Sequence, residues 1–185
     1  MLDRLRASLE TSPVVRFGEY EYFVHPISDG IPPADPVLVE EVVDALVAVG
    51  DFDCDKIVTA EAMGFPLAAL LSLRTGKPYV FLRKREYGLP GEVRVRQTTG
   101  YSRADMFMNY VGRGDRVVIV DDVISTGGTV RAIVAALRQV GALLVDILVV
   151  FDKMEDKAGL EEAVGAPVKT LLRVQVVDGK VVPRP

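Results

Sequence analysis

Along the chain, the spacing of hydrophobic and polar positions switches repeatedly between two periods. "PVLVEEVVDALVAVG", Pro36 to Gly50, repeats its apolar residues at helical spacing until Gly50 ends the pattern. "KIVTA" (Lys56 to Ala60) predicts a short strand. "FPLAALLSLRTG" returns to the helical period, with Gly76 placed beyond its end. "PYVFLR" predicts the next strand, and "RVVIV" (Arg116 to Val120), "GTVRAIVAALRQVG" and "LVDILVVF" read as strand, helix and strand. Nearer the start, "MLDRLRASLE" is a short amphipathic helix, and "VVRFGEYEYFVH" (Val14 to His25) is two short strands around a turn at Gly18. "PISDGIPPADP" is a proline-rich connector. "VKTLLRVQVVDGKVV" predicts a last strand and a hairpin turning at Asp178-Gly179.

Aliphatic strands alternating with amphipathic helices imply an α/β fold with a mainly parallel central sheet flanked by helices. There is no internal repeat and no low-complexity tract, so residues 1–185 read as a single domain. The material before about Asp35 (roughly 1–34) and the chain end fall outside the alternation and predict a small hood over one end of the sheet. "KREYGLPGEVRVRQTTGYSRAD", about residues 84–105, has little apolar periodicity and carries Gly88, Pro90, Gly91 and Gly100. It predicts a flexible lid loop, since so long a loop in a compact domain is functional or disordered.

Composition narrows the class. Hydrophobic residues at 49% and charged residues at 26% suit a globular protein with a substantial core. No apolar run approaches the roughly 18 residues of a membrane span. The N-terminus lacks the apolar stretch of a secretory leader. One cysteine, Cys54, excludes an intrachain disulfide and fits a reducing, cytoplasmic setting. A net charge of -4 argues against a general nucleic-acid surface. Yet Arg83, Lys84 and Arg85 stand together, and Arg94, Arg96 and Arg103 follow soon after. Such a cluster suits a small, highly charged anion, or equally a solvated loop.

The stretch "VVIVDDVISTGGT" concentrates the chemistry. An aliphatic strand runs into Asp121 and Asp122, then into hydroxyls and glycines, then into a helix. In parallel sheets, ligands bind beyond the carboxyl ends of the strands. Gly127 and Gly128 let backbone approach a ligand closely, and a helix start offers amides and a positive dipole end. Ser125, Thr126 and Thr129 add hydroxyl donors, completing an anion site for a phosphate monoester. Carboxylates beside that site suit a ligand carrying hydroxyls as well, such as a ribose 5-phosphate. A plainer alternative is that Asp122 caps the turn and the glycines only close it. "GxxxxGK[ST]" is absent, and "GRGDRV" at Gly112 lacks the third glycine of a dinucleotide fingerprint and precedes a strand.

The same stretch closely resembles the phosphoribosyl-diphosphate (PRPP) signature of type I phosphoribosyltransferases. "TAEAMGFPLA" (Thr59 to Ala68) is similar to that family's pyrophosphate loop. "FLRKREYGLPGE" (Phe81 to Glu92) resembles a strand end and loop of adenine and xanthine phosphoribosyltransferases. The layout with "EYFVHPISDG" looks most like the archaeal hypoxanthine/guanine branch. The resemblance implies transfer of phosphoribosyl from PRPP to a purine base, with pyrophosphate and a nucleoside monophosphate as products, Mg²⁺ as cofactor and a homodimer. It further implies that Asp121 and Asp122 hold the ribose and the water shell of Mg²⁺. Ser125, Thr126, Gly127, Gly128 and Thr129 would hold the 5-phosphate.

Pyrophosphate would be met by Arg83, Lys84 and the amides of Ala62, Met63 and Gly64. Met63 stands where many adenine relatives carry arginine. Tyr101 and Ser102 would reach pyrophosphate from the closed lid, or the lid would close without them. At the base, Phe151 would stack on the ring and Lys153 would donate to a 6-oxo group, favouring hypoxanthine and guanine over adenine, with adenine or xanthine as the alternative base. An ordinary surface lysine is the alternative for Lys153. His25 and Ile27 are hood residues that would line the base, although a lone histidine is more often structural. A non-catalytic PRPP-binding regulator is the contrasting class; the chain has no room for a DNA-binding unit and keeps its lid and basic run. "DFDCDK" opens like a calcium loop, but Lys56 replaces the glycine and Ala62 the final glutamate.

Overall fold

The computed structural model describes residues 2–98 and 103–184. The chain opens with α1 (Asp3–Leu9), β1 (Val14–Phe17), β2 (Tyr20–Phe23) and the one-turn α2 (Pro26–Asp29), followed by α3 (Pro36–Val49). Then come β3 (Lys56–Ala60), α4 (Gly64–Thr75), β4 (Tyr79–Leu82), β5 (Val93–Thr98) and β6 (Arg103–Met108). The rest is β7 (Arg116–Ile124), α5 (Gly128–Val140), β8 (Leu143–Asp152), α6 (Lys157–Val164), β9 (Lys169–Val177) and β10 (Lys180–Pro183).

One six-stranded sheet takes the order β10–β9–β8–β7–β3–β4, parallel except for β10. Both faces are covered. Leu5, Leu46, Leu67 and Leu71 of α1, α3 and α4 pack with Val118 and Val120 on one side. Ile133 and Leu137 of α5 and Leu160 of α6 pack with Val117 and Ile119 on the other. Successive side chains of a strand point to opposite faces, so a strand buried on both reads as an unbroken aliphatic run. "VVIV" is such a run.

The helices after β3 and β7 leave for opposite faces: α4 joins the α1 and α3 layer, α5 the other. Pairing of β3 with β7 extends to Val58 and Ile119, whereas β7 continues beside β8 as far as Ile124. A crevice therefore opens where β3 and β7 part, the position at which parallel sheets bind ligands. The strand is longer than the expected Arg116–Val120, and the two aspartates lie inside it.

One other expectation is corrected. Part of the expected lid, residues 84–105, is an antiparallel ribbon of β5 and β6. Its Val93, Val95, Met106 and Met108 are buried in the α5 layer, and Arg94 and Arg96 alternate with the valines. The chain end packs against the hood, Val181 sharing a cluster with Leu5 and Leu9 of α1. β10 pairs with β9 at the sheet's edge, through the turn at Asp178 (φ 51) and Gly179 (φ 72). Positive φ at both central residues is what a tight hairpin with twisted strands requires.

The hood is the β1–β2 ribbon with α1 and α2, and His25 ties it together. Its Nδ1 accepts from the Ile27 amide at 3.1 Å, capping α2. The ring proton is thereby placed on Nε2, which donates to Ser8 Oγ at 2.8 Å; Ser8 donates on to the Leu5 carbonyl at 2.8 Å. Complete burial lowers the His25 pKa from 6.5 to about 4. A base whose folded pKa is depressed contributes stability above its unfolded pKa and loses it as pH falls towards the folded value. The stability gap between wild-type and His25→Gln protein, measured by urea unfolding, is expected to shrink by about 3 kcal/mol from pH 7 to pH 4. A gap independent of pH would show that folding does not hold this ring neutral.

Candidate active site

The crevice is a cleft of about 220 Å³. Its floor is the end of β7. Asp121 and Asp122 are both buried, and the Asp122 amide donates to Asp121 Oδ1 at 3.0 Å. Ser125 and Thr126 follow along the wall, then Gly127 at φ 73. A Cβ at Gly127 would lie 2.9 Å from Leu160 Cδ1, so conformation and packing both require glycine there. α5 begins at once; its N-cap is a glycine with no side chain to offer, and the Gly128 amide donates to Thr126 Oγ1 at 3.4 Å. Its N-terminal end lines the cleft from Gly127 to Val130. Amides and dipole at such an end favour an anion.

The opposite wall comes from the end of β3. Ala60, Glu61, Ala62 and Met63 line it, and the Glu61–Ala62 peptide is cis. Gly64 starts α4 with no room for a Cβ, because Thr59 Oγ1 occupies that space. Lys84 reaches the cleft, and its amide donates to Glu61 Oε2 at 2.9 Å. Tyr20 and Tyr22 of the hood close the third side. They are two apart on β2 and so share a face.

The two carboxyls set the electrostatics. Burial, then the charge of Asp122, hold Asp121 well above the usual carboxylate range. Burial raises Asp122 from 3.8 to about 6, offset in part by Asp121, by the Ser28 hydroxyl and by backbone amides. Among the described residues no basic side chain pairs with either acid. The bare pair thus retains protons that a ligand supplying positive charge and hydroxyl donors would displace.

Most of the expected site converges here. Asp121, Asp122, Ser125, Thr126, Gly127, Gly128, Thr129, Ala62, Met63 and Lys84 line one cleft, with Gly64 directly behind its loop. Arg83 does not join them. Its guanidinium lies 4.1 Å from the Phe81 ring centre and 5.5 Å from that of Tyr87.

The expected base residues are placed elsewhere as well. Phe151 is fully buried, its ring centre 5.4 Å from Phe23 and 4.8 Å from His25, so it presents no face for stacking. His25 and Ile27 are core residues of the hood. Lys153 donates to the Glu21 carbonyl at 2.7 Å and lies 4.6 Å from the Tyr20 ring centre, so it holds the hood ribbon rather than the cleft wall. Tyr101 and Ser102 lie outside the described residues. Sequence reasoning missed Tyr20, Tyr22 and Glu61; the alternation in "YEYF" was the one signal that set the tyrosines on a common face.

Comparison with known proteins agrees with this geometry. The phosphoribosyl transferase domain profile matches residues 37–175. The hypoxanthine/guanine phosphoribosyltransferase of Methanocaldococcus jannaschii is 52% identical over 179 residues, covering 96% of this chain and 98% of that protein. The enzyme of the same name from Methanocella paludicola is 51% identical over 176 residues, or 95% and 92% of the two chains. Among solved structures, adenine phosphoribosyltransferase from Thermoanaerobacter pseudethanolicus gives a TM-score of 0.77 at 20% identity, over 94% of this chain and 99% of that one. That likeness speaks to the fold alone. The Saccharomyces cerevisiae adenine enzyme, crystallised with an imino-altritol bisphosphate and adenine, gives 0.70 at 26% identity, over 92% and 98%.

The raised pKa of Asp122 has a stability consequence. A carboxyl whose folded pKa lies above its unfolded value destabilises the native state once pH passes both. Asp122→Asn removes that charge and is expected to raise Tm at pH 7 by roughly 5 °C, with the difference vanishing below about pH 4. An unchanged or lower Tm at pH 7 would show that the site already compensates the charge.

Proposed function

The chain belongs to the phosphoribosyl transferase domain family, and from that premise we propose that it transfers the 5-phosphoribosyl group of PRPP to hypoxanthine or guanine. The products are IMP or GMP, and pyrophosphate. One observation carries the reading: a buried carboxyl pair that no basic side chain among the described residues pairs with stands directly before a glycine-led helix start, at the crevice where β3 and β7 part. Relatives about half identical over nearly the whole chain support the 6-oxopurine preference. On this reading the enzyme acts in the cytoplasm as a homodimer.

Each wall then has a task. The start of α5, with Ser125, Thr126, Gly127, Gly128 and Thr129, holds the 5-phosphate. Asp121 and Asp122 accept hydrogen bonds from the ribose hydroxyls. Across the cleft, amides of Ala62, Met63 and Gly64 and the ammonium of Lys84 hold the pyrophosphate. A purine nitrogen attacks C1 of the sugar as the C1–oxygen bond breaks, and the electron pair leaves with pyrophosphate. The chain's contribution is alignment of the two reactants and stabilisation of separated charge. Tyr20 and Tyr22 cover the base side and exclude water, the competing nucleophile.

Mg²⁺ fits the donors present. The pair offers hard carboxylate oxygens, and among the described residues no third histidine, cysteine or acid joins them, so substrate oxygens and water would complete its shell. Bound there, the ion neutralises charge on the diphosphate. Lys153 influences base choice through the Tyr20 ring that it supports.

Purified protein supplied with Mg²⁺, PRPP and each of hypoxanthine, guanine, xanthine and adenine tests this. IMP and GMP are expected to form with kcat/KM at least about tenfold above the other two products. Equal turnover of adenine or xanthine would remove the preference, and no monophosphate from any base would remove the function. Asp122→Asn is expected to lose about 100-fold in kcat/KM with its circular dichroism unchanged. Full activity in that variant would take Asp122 out of the mechanism.

A further inference from the structure

The one-turn helix α2 stands between the two ends of the cleft. Ser28 is buried beside Asp122 at the sugar end. The next residue, Asp29, reaches the other way. Its Oδ1 accepts from the Tyr22 hydroxyl at 2.6 Å, and its Oδ2 accepts from the His25 amide at 2.9 Å. Asp29 itself is not part of the cleft wall, whereas Tyr22 is. On the far side the Tyr22 ring meets Phe17 edge to face, with centres 5.8 Å apart. The phenol is thus gripped at its oxygen and at its ring.

That grip also sets a polarity. A phenol has a single proton. With it given to a carboxylate at 2.6 Å, the Tyr22 oxygen offers only lone pairs to a ligand. We propose that Asp29 is a positioning residue that fixes both the place and the hydrogen-bond polarity of Tyr22, making Tyr22 an acceptor for an N–H of the purine. The inference rests on the purine-transfer reading and deepens it. The N1–H of hypoxanthine or guanine can donate to such an acceptor, while N1 of adenine carries no proton. A site that hydrogen-bonds one base rejects an analogue lacking the matching group far more strongly than shape alone does.

Tyr22→Phe, Asp29→Ala and the double variant test this. Tyr22→Phe leaves the Asp29–His25 bond intact, so it carries the test if Asp29→Ala fails to fold. Each single change is expected to raise the KM for hypoxanthine about tenfold and leave the KM for PRPP within about twofold. The double variant is expected to be no worse than the weaker single one, because both remove the same interaction. The preference for hypoxanthine over adenine falls in all three. An unchanged base KM in Tyr22→Phe, or a PRPP KM that rises in step with it, overturns the proposal. A calorimetric arm separates this from failure of the functional reading. Wild type is expected to bind IMP more tightly than ribose 5-phosphate, and Tyr22→Phe to lose that margin. Should no purine turn over, the functional reading falls while this margin still decides on Asp29. Its loss in the variant supports the role; its retention, or its absence in wild type, overturns it.

Discussion

The site depends on two like charges held where the sheet comes apart. Asp121 and Asp122 occupy the part of β7 that has β8 on one side and no longer β3 on the other. Burial makes ionisation unfavourable there, and adjacency makes a second charge worse. Among the described residues no lysine or arginine pairs with either acid, so a ligand is the natural source of compensation. The nearby helix start serves the opposite sign, since amides at such an end favour an anion. Complementary charge preferences set side by side suit a ligand that is both hydroxylated and phosphorylated, as the proposed reaction requires.

How much of this was legible in the sequence depended on how local the cause was. β3, β7 and β8 were visible because strands covered on both faces are continuously aliphatic, and the turn at Asp178-Gly179 because positive φ at two successive residues restricts which residues can occupy it. The anion site was legible for the same reason: carboxylates, glycines and helix start are consecutive. β5 was hidden although its alternation of Val93 and Val95 with Arg94 and Arg96 is a half-buried strand pattern, because the glycine and proline before it suggested a loop. The base end was the least legible. Its geometry depends on the hood meeting the end of β8, as when His25 packs on Phe151. Nothing local distinguishes a buried Phe151 from one exposed to a ligand. Arg83 and Lys84 are a milder case: adjacency in sequence suggested a shared task, but alternation along an extended backbone sends neighbours to opposite sides.

The hood and the carboxyl pair respond to pH in opposite senses. His25, neutral and buried, withdraws stability as pH falls from 6.5 towards about 4. Asp122, whose pKa is raised to about 6, returns stability as pH falls through the same interval. Each is the expected consequence of burying a titratable group without a counter-ion, and the sign differs only because one is a base and the other an acid. The overlap flattens the combined dependence in the range where either group alone would give a slope. A pH-stability profile of the intact protein would therefore understate both.

A helix of four residues has too few internal hydrogen bonds to persist alone. α2 is held by devices outside itself: the His25 ring at its N-terminus, Gly30 in the left-handed region at its C-terminus, and the bond from Tyr22 to Asp29. Its position is thus set by what it touches, and it touches both ends of the cleft, through Ser28 beside Asp122 and through Asp29 beneath Tyr22. On the proposed reading, α2 thus links the acids that would receive the sugar to the aromatic side that would receive the base. Reactions that depend on the alignment of two bound molecules are sensitive to such spacing at the scale of an ångström. That gives a reason for the chain to devote two capping devices, one of them the buried His25, to a single turn of helix that contributes no wall of its own to the cleft.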